Sequence, residues 1–177
     1  MVEAASGLII RPAREADAER LCAFGADAFV AAFGHLYPES HLSAFLAESY
    51  MPAKWARFLR DPNTASWVSV DEADAIAGYA QAGPCGLPIE DMSADAIELK
   101  RLYVDPARVS GGIGADLMTR VMAWGAEQGD PPFYIGVWSE NEGAQRFYAR
   151  YGFHRVGAYK FAVGETLDHE FILRRTV

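Results

Sequence analysis

In the first third of the chain, the spacing of apolar residues is typical of amphipathic helices. Apolar side chains recur three to five residues apart, at Leu21, Phe24, Ala28 and Phe33, and this spacing places them on one side of a helix. A short strand at Leu8–Arg11 precedes the helix and is expected to stop at Pro12, because proline cannot donate to a sheet ladder. The pattern therefore predicts one strand and then three helices, over residues 14–33, 38–50 and 52–61.

Beyond residue 62 the apolar runs are shorter and are separated by turns that contain glycine, proline and aspartate. This pattern is typical of strands. The predicted strands are Ser66–Val70, Ile76–Ala82, Ala96–Val104, Phe133–Trp138, Arg155–Val163 and Glu170–Arg174. Two further helices are predicted at Ile113–Gln128 and Glu142–Tyr151. No repeat or linker divides the sequence, so we expect a single domain over residues 1–177, of the α/β or α+β class, built on a mixed sheet.

The composition narrows the classes of partner. The 177 residues include 24 acidic and 16 basic side chains, a net charge of −8, whereas nucleic-acid-binding surfaces are usually basic. No apolar run approaches the roughly 20 residues that span a bilayer, and residues 1–8 lack the pattern of a secretory signal. Two cysteines, Cys22 and Cys85, are too few for a disulfide framework. We therefore expect a cytoplasmic protein in a reducing compartment, with no nucleic-acid or membrane partner.

A glycine-rich turn between a strand and a helix predicts an anion-binding site. The strand ends at Val104, and glycines at 111, 112 and 114 surround the start of the next helix at Ile113. Backbone N–H groups at a helix N-terminus are unpaired and carry partial positive charge, and glycine lets a phosphate approach them closely. A pyrophosphate is the most natural ligand, although a turn that merely caps the helix would have the same glycines.

Two common phosphate-binding motifs do not match this turn. The dinucleotide fingerprint requires a third glycine where Leu117 stands, and the nucleoside-triphosphate loop requires a Gly-Lys pair that the sequence lacks. The identity of the ligand therefore rests on a second segment further along the chain.

That second segment is the strand, turn and helix around Asn141. Asn141 stands where the strand ends and the helix begins, which is a favoured position for a helix cap. Ala144, Phe147 and Tyr151 share one face of the helix, and Gly152 follows as its terminator. Tyr148 lies about 100° round the helix from Phe147 and need not enter the core.

Together the two segments resemble the GNAT superfamily of acetyl-CoA-dependent N-acetyltransferases. In that family a long strand is followed by (Q/R)xxGx(G/A) and a helix, and later by N-x-x-A-x-x-F-Y-x-x-x-G-F. The second pattern is matched at Asn141, Ala144, Phe147, Tyr148, Gly152 and Phe153, and the first at Gly112 and Gly114, with Val109 in place of its opening Gln/Arg. The resemblance implies a mixed, mostly antiparallel sheet of six to seven strands flanked by helices, with a splayed parallel pair at the cofactor site.

The same resemblance implies an acetyl-CoA site in residues 96–177, while residues 1–95 supply the acceptor-side helices. The pyrophosphate would meet the backbone of Val109, Ser110, Gly111, Gly112, Ile113, Gly114 and Ala115. The pantetheine arm would meet the backbone of Leu102, Tyr103 and Val104, and the side of the later helix that carries Asn141, Ala144 and Tyr148. Arg150 would pair with a coenzyme phosphate, or would be an ordinary solvated charge, and Asn141 can act as a helix cap as well as a ligand.

Two residues are predicted to carry the chemistry. Glu98 matches the catalytic glutamate of several GNAT enzymes and is the candidate base; strand alternation places it on the face of Lys100, Leu102 and Val104. The alternative for Glu98 is a structural ion pair with Lys100. Tyr148 is the candidate general acid for the coenzyme A sulfur, and the alternative is an amphipathic tyrosine of the helix.

The predicted acceptor is a small primary amine. Three segments resemble a bacterial GNAT branch that includes polyamine N-acetyltransferases, namely Phe45–Tyr50, Glu98–Val104 and Gly136–Asn141. The net negative charge suits a polycation, and loop acids at Glu90, Asp91 and Asp95 either add to that charge or are simply solvated. The aromatic residues of the first third form either core or one wall of the acceptor site; they are Phe29, Phe33, Tyr37, Phe45, Tyr50 and Trp55.

Other chemistries and assemblies remain as alternatives. A protein N-terminus or lysine is a second acceptor class, and an idle acyl-CoA-binding sensor is a non-enzymatic alternative. The histidines lack metal-ligand spacing and Cys85 lacks a recognised histidine partner, so we expect no metal and direct acetyl transfer in a ternary complex. The family resemblance also allows a homodimer.

Overall fold

The computed structural model of the chain describes residues 7–109 and 111–176. Its α-helices are α1 (Ala18–Phe33), α2 (Glu39–Ser49), α3 (Pro52–Arg60), α4 (Ile113–Glu127) and α5 (Glu142–Ala149). Its strands are β1 (Ile9–Pro12), β2 (Ala65–Val70), β3 (Ile76–Pro84), β4 (Ile97–Val104), β5 (Phe133–Trp138), β6 (Phe153–Val163) and β7 (Thr166–Arg175). Short 3-10 helices lie at Glu15–Asp17, Gly34–Leu36 and Pro106–Arg108.

The strands form one seven-stranded sheet in the order β1-β2-β3-β4-β5-β7-β6. Every neighbouring pair is antiparallel except β4 and β5, which run parallel. The parallel ladder is short, since it pairs Ile97 with Phe133 and ends where Leu99 pairs with Ile135. Beyond that point the two strands diverge. The predicted mixed, mostly antiparallel sheet with a splayed parallel pair is thus confirmed.

Helices cover both faces of the sheet, and each face has its own apolar core. On one face α4 packs its buried residues Ile113, Leu117 and Val121 against β3 and β4. On the other face α1 and α3 bring Leu21 and Trp55 onto a cluster that includes Val68, Val70 and Tyr79. No helix in the part of the chain that the structure describes has the length and apolar composition of a membrane span.

A β-bulge in β4 changes which residues share a face. Leu99 pairs with Ala82 and Arg101 pairs with Gln81, so Lys100 is an extra residue without a partner in β3. Leu99 and Leu102 both pack in the α4 cluster although they are three residues apart. Glu98 therefore lies on the side opposite Leu102 and Val104, and the prediction from simple alternation that they share a face was wrong.

Strand β7 starts earlier than its sequence pattern predicts. The predicted strand began at Glu170, whereas the observed one begins at Thr166, directly after a turn in which Gly164 has φ +58°. Within this stretch Leu167 is 61% exposed, and the acidic residues on either side of His169 face inward. In this stretch the apolar side chain faces solvent and the acidic side chains face inward, which is the reverse of an ordinary surface strand. A pattern that expects apolar residues inside therefore did not predict the first four residues of β7 as strand.

Candidate active site

The divergence of β4 and β5 opens a cavity of about 470 Å³. One end of this cavity lies against α5 and the segment before α4, and the other end lies against α1, α2 and the β6–β7 hairpin. The residues at the first end include Leu102, Val104, Val109, Asn141, Ala144 and Tyr148. Those at the second end include Phe29, Phe33, Tyr37, Phe45, Tyr50, Tyr159, Phe161, Asp168 and Glu170.

The start of α4 has the geometry of an anion site at four of its predicted positions. No carbonyl that the structure describes outside the helix accepts a hydrogen bond from the backbone nitrogens of Gly112, Ile113, Gly114 or Ala115, and the first turn of a helix offers no internal acceptor to such groups. Gly112 has φ +80°, with no atom within 4 Å of the place where a Cβ would stand. A ligand can therefore approach this backbone without a side chain in the way.

The other three residues predicted to contact the pyrophosphate are Val109, Ser110 and Gly111. The Gly111 nitrogen donates to the Arg108 carbonyl at 3.3 Å, so Gly111 is already engaged within the protein. Val109 is 59% exposed and lines the cavity. Ser110, also predicted to contact the pyrophosphate, lies outside the described residues.

The backbone of Leu102, Tyr103 and Val104 has a partner strand on one side alone. These residues pair with Ala80, Tyr79 and Gly78 of β3, while the ladder toward β5 ends at Leu99. All three line the cavity. The edge of β4 toward β5 can therefore accept an extended ligand in the manner of an added strand.

Asn141 and Arg150 lie at opposite ends of α5. The Asn141 side-chain oxygen accepts a hydrogen bond from the Ala144 nitrogen at 3.0 Å, so Asn141 caps the helix. Asn141 and Ala144 both line the cavity. Arg150 is exposed, stacks its guanidinium 5.1 Å from the Phe147 ring centre, and is not among the residues that line the cavity. The arrangement favours a ligand role for Asn141 more than for Arg150.

Tyr148 is a buried tyrosine that also reaches the cavity. It is 9% exposed and packs with Phe147 and Phe153, so it enters the core more fully than its helical position required. No hydrogen bond to its hydroxyl is formed within the described residues. Burial raises the pKa of this hydroxyl above its ordinary value near 10, so it is protonated at neutral pH and is a weaker acid than an exposed tyrosine.

Glu98 forms an ion pair and still has one open oxygen. Its Oε2 accepts hydrogen bonds from the Lys100 ammonium at 2.6 Å and the Gly86 nitrogen at 2.9 Å. Among the described residues no donor contacts Oε1, and the side chain, 12% exposed, lines the cavity. The structural ion pair with Lys100 and access to the cavity are therefore both present.

Two acidic residues of the site were missed by the sequence interpretation. Asp168 and Glu170 point from β7 into the far end of the cavity, where they accept hydrogen bonds from Tyr37 and Tyr159 respectively. Neither forms an ion pair with any described residue. Burial, and after it the neighbouring carboxylates, raise the pKa of Glu170 above its usual range. The available signal was the two-residue spacing of the acids, which places both side chains on one face of a strand.

The aromatic residues of the first third divide between core and cavity wall. Phe29 is 5% exposed and still borders the cavity, with Phe45 and Tyr37 stacked around it at ring distances of 4.8 and 6.1 Å. Trp55 is buried against Tyr79 and does not line this cavity. Two further wall residues, Trp138 and Phe161, were not singled out from the sequence. An apolar wall is thus present around the second end of the cavity.

Metal and thiol chemistry have little support in this site. Within residues 7–109 and 111–176, no three His, Cys, Asp or Glu side chains are grouped closely enough to hold a metal ion. Cys85 is half-buried and free, and burial raises the pKa of its thiol above the ordinary value. A raised pKa leaves less thiolate, so this cysteine is a poor nucleophile.

Comparisons with known sequences agree with this geometry. The Acetyltransferase (GNAT) family model matches residues 27–153. Uncharacterized N-acetyltransferases from Mycobacterium bovis and Mycobacterium tuberculosis are each 31% identical over 159 residues, which cover 90% of this chain and 97% of the relative. An uncharacterized N-acetyltransferase from Lactobacillus delbrueckii is 23% identical over 172 residues, 97% of this chain and 99% of that protein.

Solved structures share the fold at low sequence identity. The PaiA N-acetyltransferase of Thermoplasma acidophilum, in complex with coenzyme A, matches with a TM-score of 0.76 and 17% identity over 96% of this chain and 99% of that one. Arabidopsis thaliana NAA60, in complex with acetyl-CoA, matches with a TM-score of 0.71 and 18% identity over 94% of this chain and 97% of that one.

Proposed function

This chain belongs to the GNAT family of acetyltransferases, with acetyl-CoA as the acetyl donor, and we propose that its acceptor is a primary amine of a small polycation such as a polyamine. The observation that carries the acceptor assignment is the pair Asp168 and Glu170. They are two carboxylates in a partly closed cavity, and neither has a cationic partner among the described residues. Buried charges are usually paired, so an ammonium ligand would complete this group.

The cofactor is proposed to lie across the first end of the cavity. Its pyrophosphate meets the backbone nitrogens of residues 112–115, where the partial positive charge of α4 is greatest. Its pantetheine arm extends between β4 and β5 and hydrogen-bonds to the β4 backbone beyond Leu99. The thioester then lies between Tyr148 and Glu98, which border the same cavity.

The reaction is proposed to be a direct attack of the amine on the thioester. An alkylammonium has a pKa near 10, so it must lose a proton before attack, and Glu98 Oε1 is the acceptor for that proton, directly or through water. The amine nitrogen forms a bond to the carbonyl carbon, and the carbon–sulfur bond then breaks. Tyr148 gives its proton to the departing thiolate, which leaves as coenzyme A, and the nitrogen gives its second proton to the Tyr148 phenolate, directly or through water, to yield the neutral amide. The raised pKa of Cys85 argues against an acetyl-cysteine intermediate.

The far end of the cavity is proposed to hold the rest of the acceptor. A second ammonium of the polyamine pairs with Asp168 and Glu170, while its methylene chain contacts the aromatic wall at Phe45 and Phe161. The loop acids Glu90 and Asp91 are exposed and do not line the cavity, so their charge is a feature of the surface.

The test is release of coenzyme A thiol from acetyl-CoA with a panel of amines. Spermidine and putrescine are expected to exceed n-butylamine in kcat/KM by about 10-fold or more, since one charge-assisted contact contributes about 1.5–3 kcal/mol. Peptides with a free N-terminus or lysine are the comparison arm. Turnover of peptides without turnover of polyamines would overturn the acceptor assignment. Thermal stabilisation by acetyl-CoA without turnover of any amine would contradict catalysis itself.

A further inference from the structure

A second cavity, of about 310 Å³, lies between α3 and the middle of the sheet. Its walls are formed by the aromatic rings of Trp55 and Phe58, by Gln81 of β3 and by Arg101 of β4, with Ser49 and Lys54 at its edge. Its polar groups are mainly donors, and two of its side chains are cations. This combination suits an anion with an apolar body.

Arg101 is the charged group inside this cavity. Its guanidinium lies 5.1 Å from the Trp55 ring centre and 6.0 Å from that of Tyr50, and its Nη1 donates to Gln81 Oε1 at 3.2 Å. No carboxylate of the described residues forms an ion pair with it. A partly buried guanidinium is commonly matched by a carboxylate, because its planar fork fits two carboxylate oxygens.

Gln81 provides a second, independent indication of a ligand. It is 1% exposed, and its Nε2 has no hydrogen-bond partner among the described residues. The orientation of its amide is fixed by Arg101, because exchanging oxygen and nitrogen would point one donor at another. A buried donor without a partner costs about 1–3 kcal/mol, and an acceptor atom in the cavity would remove that cost.

We propose that this second cavity binds the carboxylate of a small amphipathic acid. The carboxylate oxygens accept from the Arg101 guanidinium and from Gln81 Nε2, and Lys54, whose ammonium donates to the Glu48 carbonyl at 2.8 Å, adds positive charge to the wall. The apolar part of the acid stacks against Trp55 and Phe58. This acid is a different ligand from the substrates of acetyl transfer. Because Arg101 also borders the main cavity, a bound acid can influence the aromatic wall near Tyr50.

Nuclear magnetic resonance with benzoate as the probe tests this site directly. In the full-length protein without acetyl-CoA, benzoate is expected to shift the Gln81 side-chain amide and the Trp55 indole N–H signals in a saturable manner. Benzamide, which has the same shape and no charge, is expected to leave them unchanged. Equal shifts from benzamide or from inorganic phosphate, or shifts confined to the Trp138 indole in the main cavity, would overturn the proposal.

Variants separate the site from general surface charge. Gln81→Met keeps the side-chain length and removes the donor, and it is expected to weaken benzoate binding about fivefold or more. Lys54→Gln is expected to weaken it about twofold, whereas Arg57→Gln, an exposed cation on the same helix and outside the cavity, is expected to have no effect. Retained stabilisation by acetyl-CoA shows that Gln81→Met is folded. Unchanged benzoate affinity in that folded variant would contradict the site, whatever the enzyme's acceptor is.

Discussion

Tyr148 combines protonation at neutral pH with access to the place where a thiolate would form. Burial among Phe147 and Phe153 raises the pKa of its hydroxyl, and no described group competes for that hydroxyl. Tyr151 is three residues further along; burial raises its pKa too, but it does not line the cavity. The two tyrosines therefore offer a matched comparison for the role of the hydroxyl.

Replacing Tyr148 by phenylalanine should lower kcat about 100-fold and leave coenzyme A affinity within about twofold, because general acids contribute about that much and the ring is retained. Steady-state kinetics and calorimetric titration with coenzyme A measure the two quantities. Tyr151→Phe is the control and should change neither. A kcat for Tyr148→Phe equal to that of the control would remove Tyr148 from the proton transfer.

The proposed acceptor assignment rests on Asp168 and Glu170. Asp168→Asn and Glu170→Gln should each raise KM for spermidine about 10-fold, with little change for n-butylamine, which lacks a second ammonium. Glu165→Gln, in the exposed turn of the same hairpin, should leave both unchanged. Equal effects of all three substitutions would indicate a long-range charge effect in place of a specific contact.

The raised pKa of Glu170 also predicts a pH dependence of acceptor binding. Since the ionised carboxylate attracts the ammonium, and burial makes it protonate at a higher pH than an ordinary glutamate, spermidine affinity should fall early on acidification. The measurement is KM for spermidine against pH in wild type and Glu170→Gln. The acidic rise in KM should be smaller in the variant; identical profiles would show that another group causes it.

At the level of secondary-structure elements, the start of α4 is where backbone conformation is proposed to determine coenzyme A binding. Gly112 and Gly129 both have positive φ, +80° and +92°, and both have open space where a Cβ would stand. Gly112 precedes α4 at the proposed pyrophosphate site, whereas Gly129 follows the same helix at its far end. An alanine therefore introduces similar backbone strain at the two positions. At Gly112 it also places a methyl group beside the proposed cofactor site.

Gly112→Ala and Gly129→Ala should each destabilise the protein by about 1–2 kcal/mol, the cost of a left-handed conformation in a residue with a Cβ. Gly112→Ala alone should also weaken coenzyme A binding, by about 10-fold or more, because the methyl group stands in the approach to the backbone nitrogens. Chemical denaturation and calorimetry measure the two effects. Equal coenzyme A affinity in both variants would place the pyrophosphate elsewhere.

The positions of the helices and strands were easier to predict from the sequence than the side of the sheet on which each strand residue lies. Amphipathic spacing gave α1 and α4 to within a few residues, because burial of one side dictates where apolar residues recur. The bulge at Lys100 and the early start of β7 left no such trace, since both depend on the partner strand. Residues at the first end of the cavity, such as Asn141 and Tyr148, were therefore singled out by local motifs, whereas Asp168 and Glu170, brought to the second end by a hairpin distant in sequence, were not.

For the molecule as a whole, a network of charges at Asp17 joins the N-terminal strand to the first helix. The Asp17 carboxylate is 4% exposed and accepts hydrogen bonds from Arg11 at 2.7 Å, Arg20 at 2.8 Å and the Arg14 nitrogen at 2.8 Å. The hydrogen bond from the Arg11 guanidinium is the largest cause that lowers the pKa of this carboxyl, far below its usual range. Asp17 and its partners, which do not line the cavity, thus contribute to the stability of the fold.

Asp17→Asn should reduce the free energy of unfolding at about pH 7 by about 2 kcal/mol, because it removes charge-assisted hydrogen bonds to the partly buried Arg11 guanidinium while Asp74 still pairs with Arg11 and Arg20. The stabilisation by Asp17 is complete above its unfolded pKa of about 4 and is lost as pH falls toward the lower folded value. The difference between wild type and variant should therefore narrow below about pH 4. Urea unfolding across pH checks this, with Glu15→Gln, from an exposed pair with Arg60, as the control.

The extra residue in β4, Lys100, supplies the cation that pairs with Glu98. Removing Lys100 would restore an uninterrupted ladder with β3 and so spare the sheet. The same deletion would set Leu99 and Leu102 two residues apart, so the other side chains of β4 would keep their present faces, while Glu98 would lose the Lys100 ammonium. A shortened strand of this kind would fold into the same architecture and would leave the Gly86 nitrogen as the remaining donor to the Glu98 carboxylate among the described residues.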